Sequence, residues 1–215
     1  MSNWIEPVDA EAIHAAVTDA ERRTSGEIVP VLLSAADDYE VAYWKAATLG
    51  ALLVEGAVLA WLWASGAWAH GGVALLLPGL AGGLVAALAV FFVPRLRPLL
   101  TGAEKVERRI AQRAREAFLN YEVFRTKART GILICVFRLE HRVVVLADEG
   151  VHRVAPAGTW EALAAETAGA MRREGSGAAL LGAVKRCGEL LSERGLGRAI
   201  DDANELADHV RGEFR

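Results

Sequence analysis

Lysine and arginine are missing from residues 46–93, and Glu55 is the one acid in that stretch. A water-facing helix of such length carries a polar stripe at helical spacing, so its absence excludes an ordinary amphipathic arrangement. Cysteine is scarce as well, with only Cys135 and Cys187. Neither has metal-ligand spacing, and both fall in apolar patterns expected to keep them reduced and buried. The five histidines, His14, His70, His141, His152 and His209, form no zinc spacing. His141 and His152 flank one predicted strand and are candidates to meet in space. A Cys-x5-Arg phosphate loop, an Asp-x-Asp nucleophile pair and a glycine-rich P-loop are all absent, which leaves no recognisable phosphatase nucleophile. A formal net charge of −3 excludes nucleic acid as a bulk electrostatic partner. The first 34 residues carry acids throughout and no early apolar stretch, so no secretory signal is expected.

What is present begins with two apolar runs, residues 46–69 and 73–93, separated by His70, Gly71 and Gly72. Each reaches the roughly 20 residues that an α-helix needs to cross about 30 Å of hydrocarbon. They predict an antiparallel transmembrane hairpin, and the first run would serve as the insertion signal. Lys45, Arg95, Arg97, Lys105, Arg108 and Arg109 flank the pair, whereas the intervening loop has no basic residue. The positive-inside rule then leaves both termini in the cytoplasm, in a multi-pass protein of the cytoplasmic (inner) membrane. Tyr43 and Trp44 suit the inner interface, and Trp61, Trp63 and Trp68 the outer one. Glu55 is costly inside a bilayer and is expected to be neutralised, paired or turned toward another helix. Gly79 and Gly83, with Gly82 beside them, make a Gly-xxx-Gly face on the second helix that permits close approach. Pro78 is expected to kink that helix.

The polar flanks read as one α/β layered domain. Asp9 is a suitable N-cap for a helix to about Arg23, and residues 27–34 read as a strand in which Pro30 marks an edge or a bulge. Thr101 and Glu104 have capping-box spacing before a helix to about Phe124, whose apolar face carries Val106, Ile110, Ala114, Ala117, Phe118 and Tyr121. Residues 132–137 suit a strand buried on both faces, and residues 142–147 a second strand antiparallel to it. Two helices, about 159–173 and 176–193, should bury Trp160, Leu163, Leu180, Leu181, Val184, Leu190 and Leu191. Gly195 and Gly197 stop the second helix, and a polar tail or short docked helix follows.

Acidic residues at strand ends are the candidate site: Asp37 and Asp38 after the first strand, Asp148 and Glu149 after the last. Ligands gather where strands of layered α/β folds end in loops. Convergent carboxylates suit a hard cation such as Ca²⁺ or Mg²⁺. The competing reading is turn and cap chemistry, since Asp before Gly is ordinary in turns.

The order Thr24-Ser25-Gly26-Glu27-Ile28-Val29, Arg129-Thr130-Gly131-Ile132-Leu133-Ile134, Glu140-His141-Arg142-Val143 and Ala147-Asp148-Glu149-Gly150, with Trp160 and Asn204-Glu205-Leu206, resembles the TPM-domain family. The resemblance is to its bacterial membrane-protein branch, in which a membrane hairpin interrupts the domain after the first strand. It implies an α/β/α sandwich split into residues 1–40 and 99–193, with the hairpin in residues 41–98 and a polar tail in residues 194–215. Some relatives of that family are described as phosphatase-like or as binding a divalent cation, and others as accessory or assembly factors of membrane complexes. Three functions follow as expectations. The leading one is a binding or accessory module that contacts another membrane protein or self-associates. The others are a metal-dependent phosphatase-like enzyme and a subunit of an oligomeric transport assembly.

Overall fold

The computed structural model describes residues 7–66, 75–194 and 210–212. The predicted loop at His70–Gly72, Trp68, and the tail motif at Asn204, Glu205 and Leu206 lie outside the described residues, as do Gly195, Gly197 and His209. The fold is mixed α/β. Its elements run α1 (Pro7–Arg23), β1 (Glu27–Leu33), α2 (Glu40–Ser65), α3 (Leu76–Phe92), α4 (Leu96–Thr101), α5 (Ala103–Asn120), β2 (Gly131–Phe137), β3 (Arg142–Ala147), α6 (Glu149–His152), α7 (Thr159–Glu174) and α8 (Ser176–Glu193). Contacts divide the chain into two compact units, one of Met1–Ala36 with Arg108–Arg215 and the other of Asp37–Glu107.

The first unit is built on a three-stranded sheet in the order β1-β2-β3, with β1 parallel and β3 antiparallel to β2. β1 and β2 are buried along their whole length, as continuous runs of Ile, Val and Leu require. Ile28, Leu32, Ile132, Ile134 and Val136 face a core closed by Ile13 and Val17 of α1, Trp160 and Leu163 of α7, and Leu180, Val184 and Leu191 of α8. Residues of the other parity, Val29, Val31, Leu133, Cys135 and Phe137, are equally buried on the opposite face. Arg113 and Tyr121 lie within electrostatic reach of Cys135 on that face, and Ile110, Ala114 and Ala117 of α5 are buried. Cys135 and Cys187 are free and buried, and burial pushes the Cys187 thiol up to about 12.

Several local expectations change. α1 begins at Pro7, so Asp9 lies inside the helix; proline suits a first turn because its missing N–H has no partner there anyway. Thr101 does not cap α5: its hydroxyl donates back to the Arg97 carbonyl at 2.9 Å, closing the last turn of α4. Residues 121–124 form a turn rather than extending α5 to Phe124. Among the described tail residues, Arg211 bridges to β1. Leu32 N–H donates to the Arg211 carbonyl and Arg211 N–H to the Pro30 carbonyl, each at 3.0 Å, along the outer edge of β1. Pro30 does lie on an edge strand, and its missing donor faces away from β2.

The second unit holds α2 and α3. α2 is long and apolar enough to cross a membrane; α3 is apolar but shorter. Trp63 is 77% exposed, Trp44 75% and Leu53 73%, the reverse of a water-soluble helix surface. Among the described residues α3 starts at Leu76, so Pro78 falls in its first turn, where proline is tolerated, and does not interrupt a helix interior. The helices pack antiparallel. A Cβ on Gly82 would meet Val54 Cγ2 at 2.5 Å, one on Gly83 the Ala47 carbonyl at 2.9 Å, and one on Gly50 the Ala86 Cβ at 2.5 Å. Glycine is therefore what lets the two backbones approach.

Candidate functional site

β2 begins at a corner where three loops are tied by short polar contacts. Thr130 is the knot. Its hydroxyl donates to the Ser25 carbonyl at 2.7 Å, its N–H to the Thr126 hydroxyl at 2.9 Å, and its carbonyl accepts the Glu27 N–H at 3.2 Å. Asp148 N–H donates to the Gly131 carbonyl and Gly150 N–H to the Arg129 carbonyl, both at 2.9 Å. The approach is so close that a Cβ on Gly150 would strike the backbone carbonyls of Ala128 and Arg129. Glycine is demanded there by space, not by an unusual φ.

Asp148 sits in this corner with only 6% of its side chain exposed. It caps α6, accepting the Glu149 N–H on Oδ1 at 2.8 Å, while Arg129 Nε approaches Oδ2 to 3.0 Å as an ion pair. Arg129 holds a left-handed backbone, φ 56°, and its side chain is 49% exposed. A non-glycine residue in that region carries strain, and here it aims the guanidinium at a buried carboxylate. The arrangement fixes the ends of β2 and β3 and presents half of one cation to solvent.

The remaining predicted site residues are placed as follows. Glu149 is exposed and pairs loosely with Arg153 at 3.8 Å. Asp37 accepts the Asp38 N–H on Oδ1 at 2.9 Å. Both aspartates belong to the second unit and Asp148 and Glu149 to the first. Among the described residues no three His, Cys, Asp or Glu side chains gather as a metal site. His141 immediately precedes β3, whereas His152 lies at the end of α6, beyond the far end of that strand.

No family model matches the chain, and no curated protein matches it. Among solved structures it is similar to BA42, a protein from the psychrophilic bacterium Bizionia argentinensis solved by NMR. The identity is 16%, the match covers 99% of this chain and 98% of that one, and the TM-score is 0.59. At that identity the likeness speaks for the fold alone.

In the second unit Glu55 turns toward α3, where its Oε2 accepts the Gly79 N–H at 3.1 Å. A carboxylate at the first turn of a helix complements the positive end of its dipole. A Cβ on Gly79 would meet that oxygen at 2.7 Å, so the glycine makes room for the contact. At the other end of α3, Arg97 reaches back to the Phe91 carbonyl at 3.2 Å and lies over the Tyr43 ring at 5.5 Å. Lys45 donates to the Leu100 carbonyl at 2.9 Å, satisfying the end of α4.

Sequence reasoning missed two contacts. Glu21 in α1 accepts the Ile28 N–H at 3.0 Å, and Arg211 binds the edge of β1 while its guanidinium donates to the Tyr121 carbonyl at 3.2 Å. A carboxylate seven residues before a strand amide and a single bridged residue leave no periodic signal. Only Pro30, which marks the edge they protect, could have pointed to them.

Proposed function

We propose that this chain is a membrane-anchored binding or accessory module, in which an α/β/α sandwich related to the TPM-domain family is carried on a two-helix transmembrane hairpin. One observation carries the reading: α2 is long, apolar and outwardly studded with exposed Trp and Leu, and it packs on apolar α3 through glycine. In water such a surface would be a liability, whereas in lipid it is the expected exterior. The sandwich is supported by the burial of β1 and β2 on both faces. Ser25, Arg129, Thr130, Asp148 and Gly150, from three of the resembling motifs, meet at one corner. A binding role fits a corner in which Asp148 is already engaged by Arg129 and by its own helix cap. With both basic flanks inside, the termini are cytoplasmic and the hairpin tip faces outward.

Alkaline carbonate extraction of membranes carrying the full chain tests the anchor. The chain is expected to stay in the pellet, and release to the supernatant would refute it. A topology reporter inserted at His70 is expected to be active only on the outer side. Affinity purification of the detergent-solubilised chain should then recover a stoichiometric integral-membrane partner or a second copy.

A further inference from the structure

Where the apolar helices of the second unit give way to polar chain, three cations border the apolar surface. Lys45 stands directly before residue 46, where the first apolar run begins, and Arg95 and Arg97 follow the end of α3. Arg97 donates to the Val90 and Phe91 carbonyls at 3.5 and 3.2 Å and lies over the Tyr43 ring. Lys45 donates to the Leu100 and Thr101 carbonyls at 2.9 and 3.4 Å. These contacts tie α4 to the start of α2 and to the end of α3. Carbonyls are neutral, so they hold the two charges in place without cancelling them, and each side chain keeps further N–H donors. The Arg95 side chain is exposed and has no hydrogen bond or ion pair among the described residues. The neighbouring acids Asp37, Asp38, Glu104 and Glu107 are engaged by other groups. Glu40 opens α2, where an acid complements the helix dipole, and lies about 7.5 Å along the axis from Lys45 on the water side. Beside the cations, Trp44, Phe92, Val93 and Leu99 of the same unit are exposed.

We propose that this end of the helix pair is a docking face for anionic phospholipid. Lys45, Arg95 and Arg97 meet headgroup phosphates, and Trp44, Phe92 and Leu99 meet the adjoining acyl chains. The face rests on the membrane-anchored reading above and names the lipid class that the anchor selects. An acidic peptide would satisfy the cations but leave the exposed apolar side chains in water. Free phosphate would do the same. A phospholipid joins a phosphate to hydrocarbon within a few ångströms, which is the pairing that cations at the rim of an apolar surface require. Headgroup charge decides between lipids. A zwitterionic headgroup brings its own ammonium, which cancels the attraction, whereas a headgroup of net negative charge compensates the uncancelled cations. Near an anionic membrane surface each Lys or Arg strengthens the attraction about fivefold.

The test uses the full chain reconstituted in phosphatidylcholine vesicles that carry spin-labelled phosphatidylglycerol or spin-labelled phosphatidylcholine. Electron paramagnetic resonance reads how much of each label is immobilised at the protein boundary. Phosphatidylglycerol is expected to be immobilised in preference, and raised salt to weaken that preference. Arg95→Gln breaks no side-chain contact among the described residues, so it cannot act by unfolding the junction. It should lower the preference by up to about fivefold, and Arg95→Lys should restore it. Lys45→Gln combined with Arg95→Gln should abolish it. At matched ionic strength, inorganic phosphate or a poly-glutamate peptide should not displace the label. Equal immobilisation of both labels overturns the proposal, as does a preference that survives the double variant. Displacement by phosphate or by the peptide overturns it too, and assigns the cations to a soluble anion or an acidic protein. A chain that resists carbonate extraction yet immobilises both labels equally refutes the lipid face and keeps the anchor; release by carbonate refutes both.

Discussion

Arg211 is clamped to Tyr121, with its guanidinium carbon 5.1 Å from the ring centroid and its Nη1 donating to the Tyr121 carbonyl at 3.2 Å. Arg211 also bridges to β1 through its backbone, so the turn after α5 and the edge of the sheet hold this residue between them. Arg211→Ala removes the cation–ring contact and a charged hydrogen bond while leaving the backbone bridge intact. The expected loss is about 1–2 kcal/mol of unfolding free energy. Amide hydrogen exchange checks the mechanism: Leu32, which donates to Arg211, should exchange faster, whereas Ile28, held by Glu21, should not change.

The glycine seam between α2 and α3 gives a paired prediction. Gly82→Ala places a methyl 2.5 Å from Val54 Cγ2 and 2.8 Å from the Gly50 carbonyl, and a backbone oxygen cannot step aside. Gly56, on the same pair of helices, has open space around its Cβ position. Gly82→Ala should destabilise the helix pair by about 1–3 kcal/mol through overpacking. Gly56→Ala should be neutral or stabilise it by up to about 1 kcal/mol, as alanine does in a helix. Thermal unfolding in detergent micelles would read both; equal effects would show that the helices do not pack through glycine.

Glu55 separates insertion from packing. Glu55→Leu removes an acid from the apolar stretch and should raise the insertion efficiency of α2. It also removes the acceptor for Gly79 N–H, and α2–α3 association should weaken by about 1 kcal/mol. Glu55→Gln retains an acceptor oxygen and should keep the association. Insertion assays and cross-linking between the helices would register the opposite signs.

How much of this was legible in the sequence depended on whether a feature repeats. The strands were readable because Ile, Val and Leu run together at residues 27–33, 131–137 and 142–147, and a run of that kind has few other uses. The mixed α/β class followed from helical periods on either side. Pro30 revealed an edge because a missing donor has few tolerable places in a sheet. The role of Asp148 as a helix cap was readable from its position before Glu149 and Gly150. Its ion pair was not, since Arg129 lies in another loop and meets it only once β2 and β3 pair. Pro78 was misread because periodicity does not show where a helix begins. Arg211 was invisible for a simpler reason: a bridge of one residue has no pattern.

Tyr121 supplies a pH prediction. Burial raises its phenol above the ordinary value of 10; the neighbouring Cys135 thiol adds to the shift and Arg211 works against it. The fold therefore favours the neutral phenol. Its contribution to stability is complete below the unfolded value and is lost as pH rises through the higher folded one. Phenolate absorbance should show a late-titrating tyrosine that disappears in Tyr121→Phe. The decline of stability above pH 10 should be shallower in that variant.

The Arg129–Asp148 corner can be dissected by the choice of replacement. Arg129→Ala deletes the ion pair but keeps a Cβ in a left-handed conformation, φ 56°. Arg129→Gly deletes the same ion pair and relieves the strain, which is about 1 kcal/mol or more for a non-glycine residue. Arg129→Gly should therefore be the more stable of the two by about that amount, although both lose the contact to a carboxylate that is almost fully buried. Asp148→Asn keeps an acceptor for the Glu149 N–H, whereas Asp148→Ala loses the cap as well and should cost about 1 kcal/mol more. Urea denaturation of the four variants separates strain, charge and cap. If Arg129→Gly proved no better than Arg129→Ala, the left-handed backbone at this corner would be carrying no strain, and Arg129 would owe its place to the carboxylate alone.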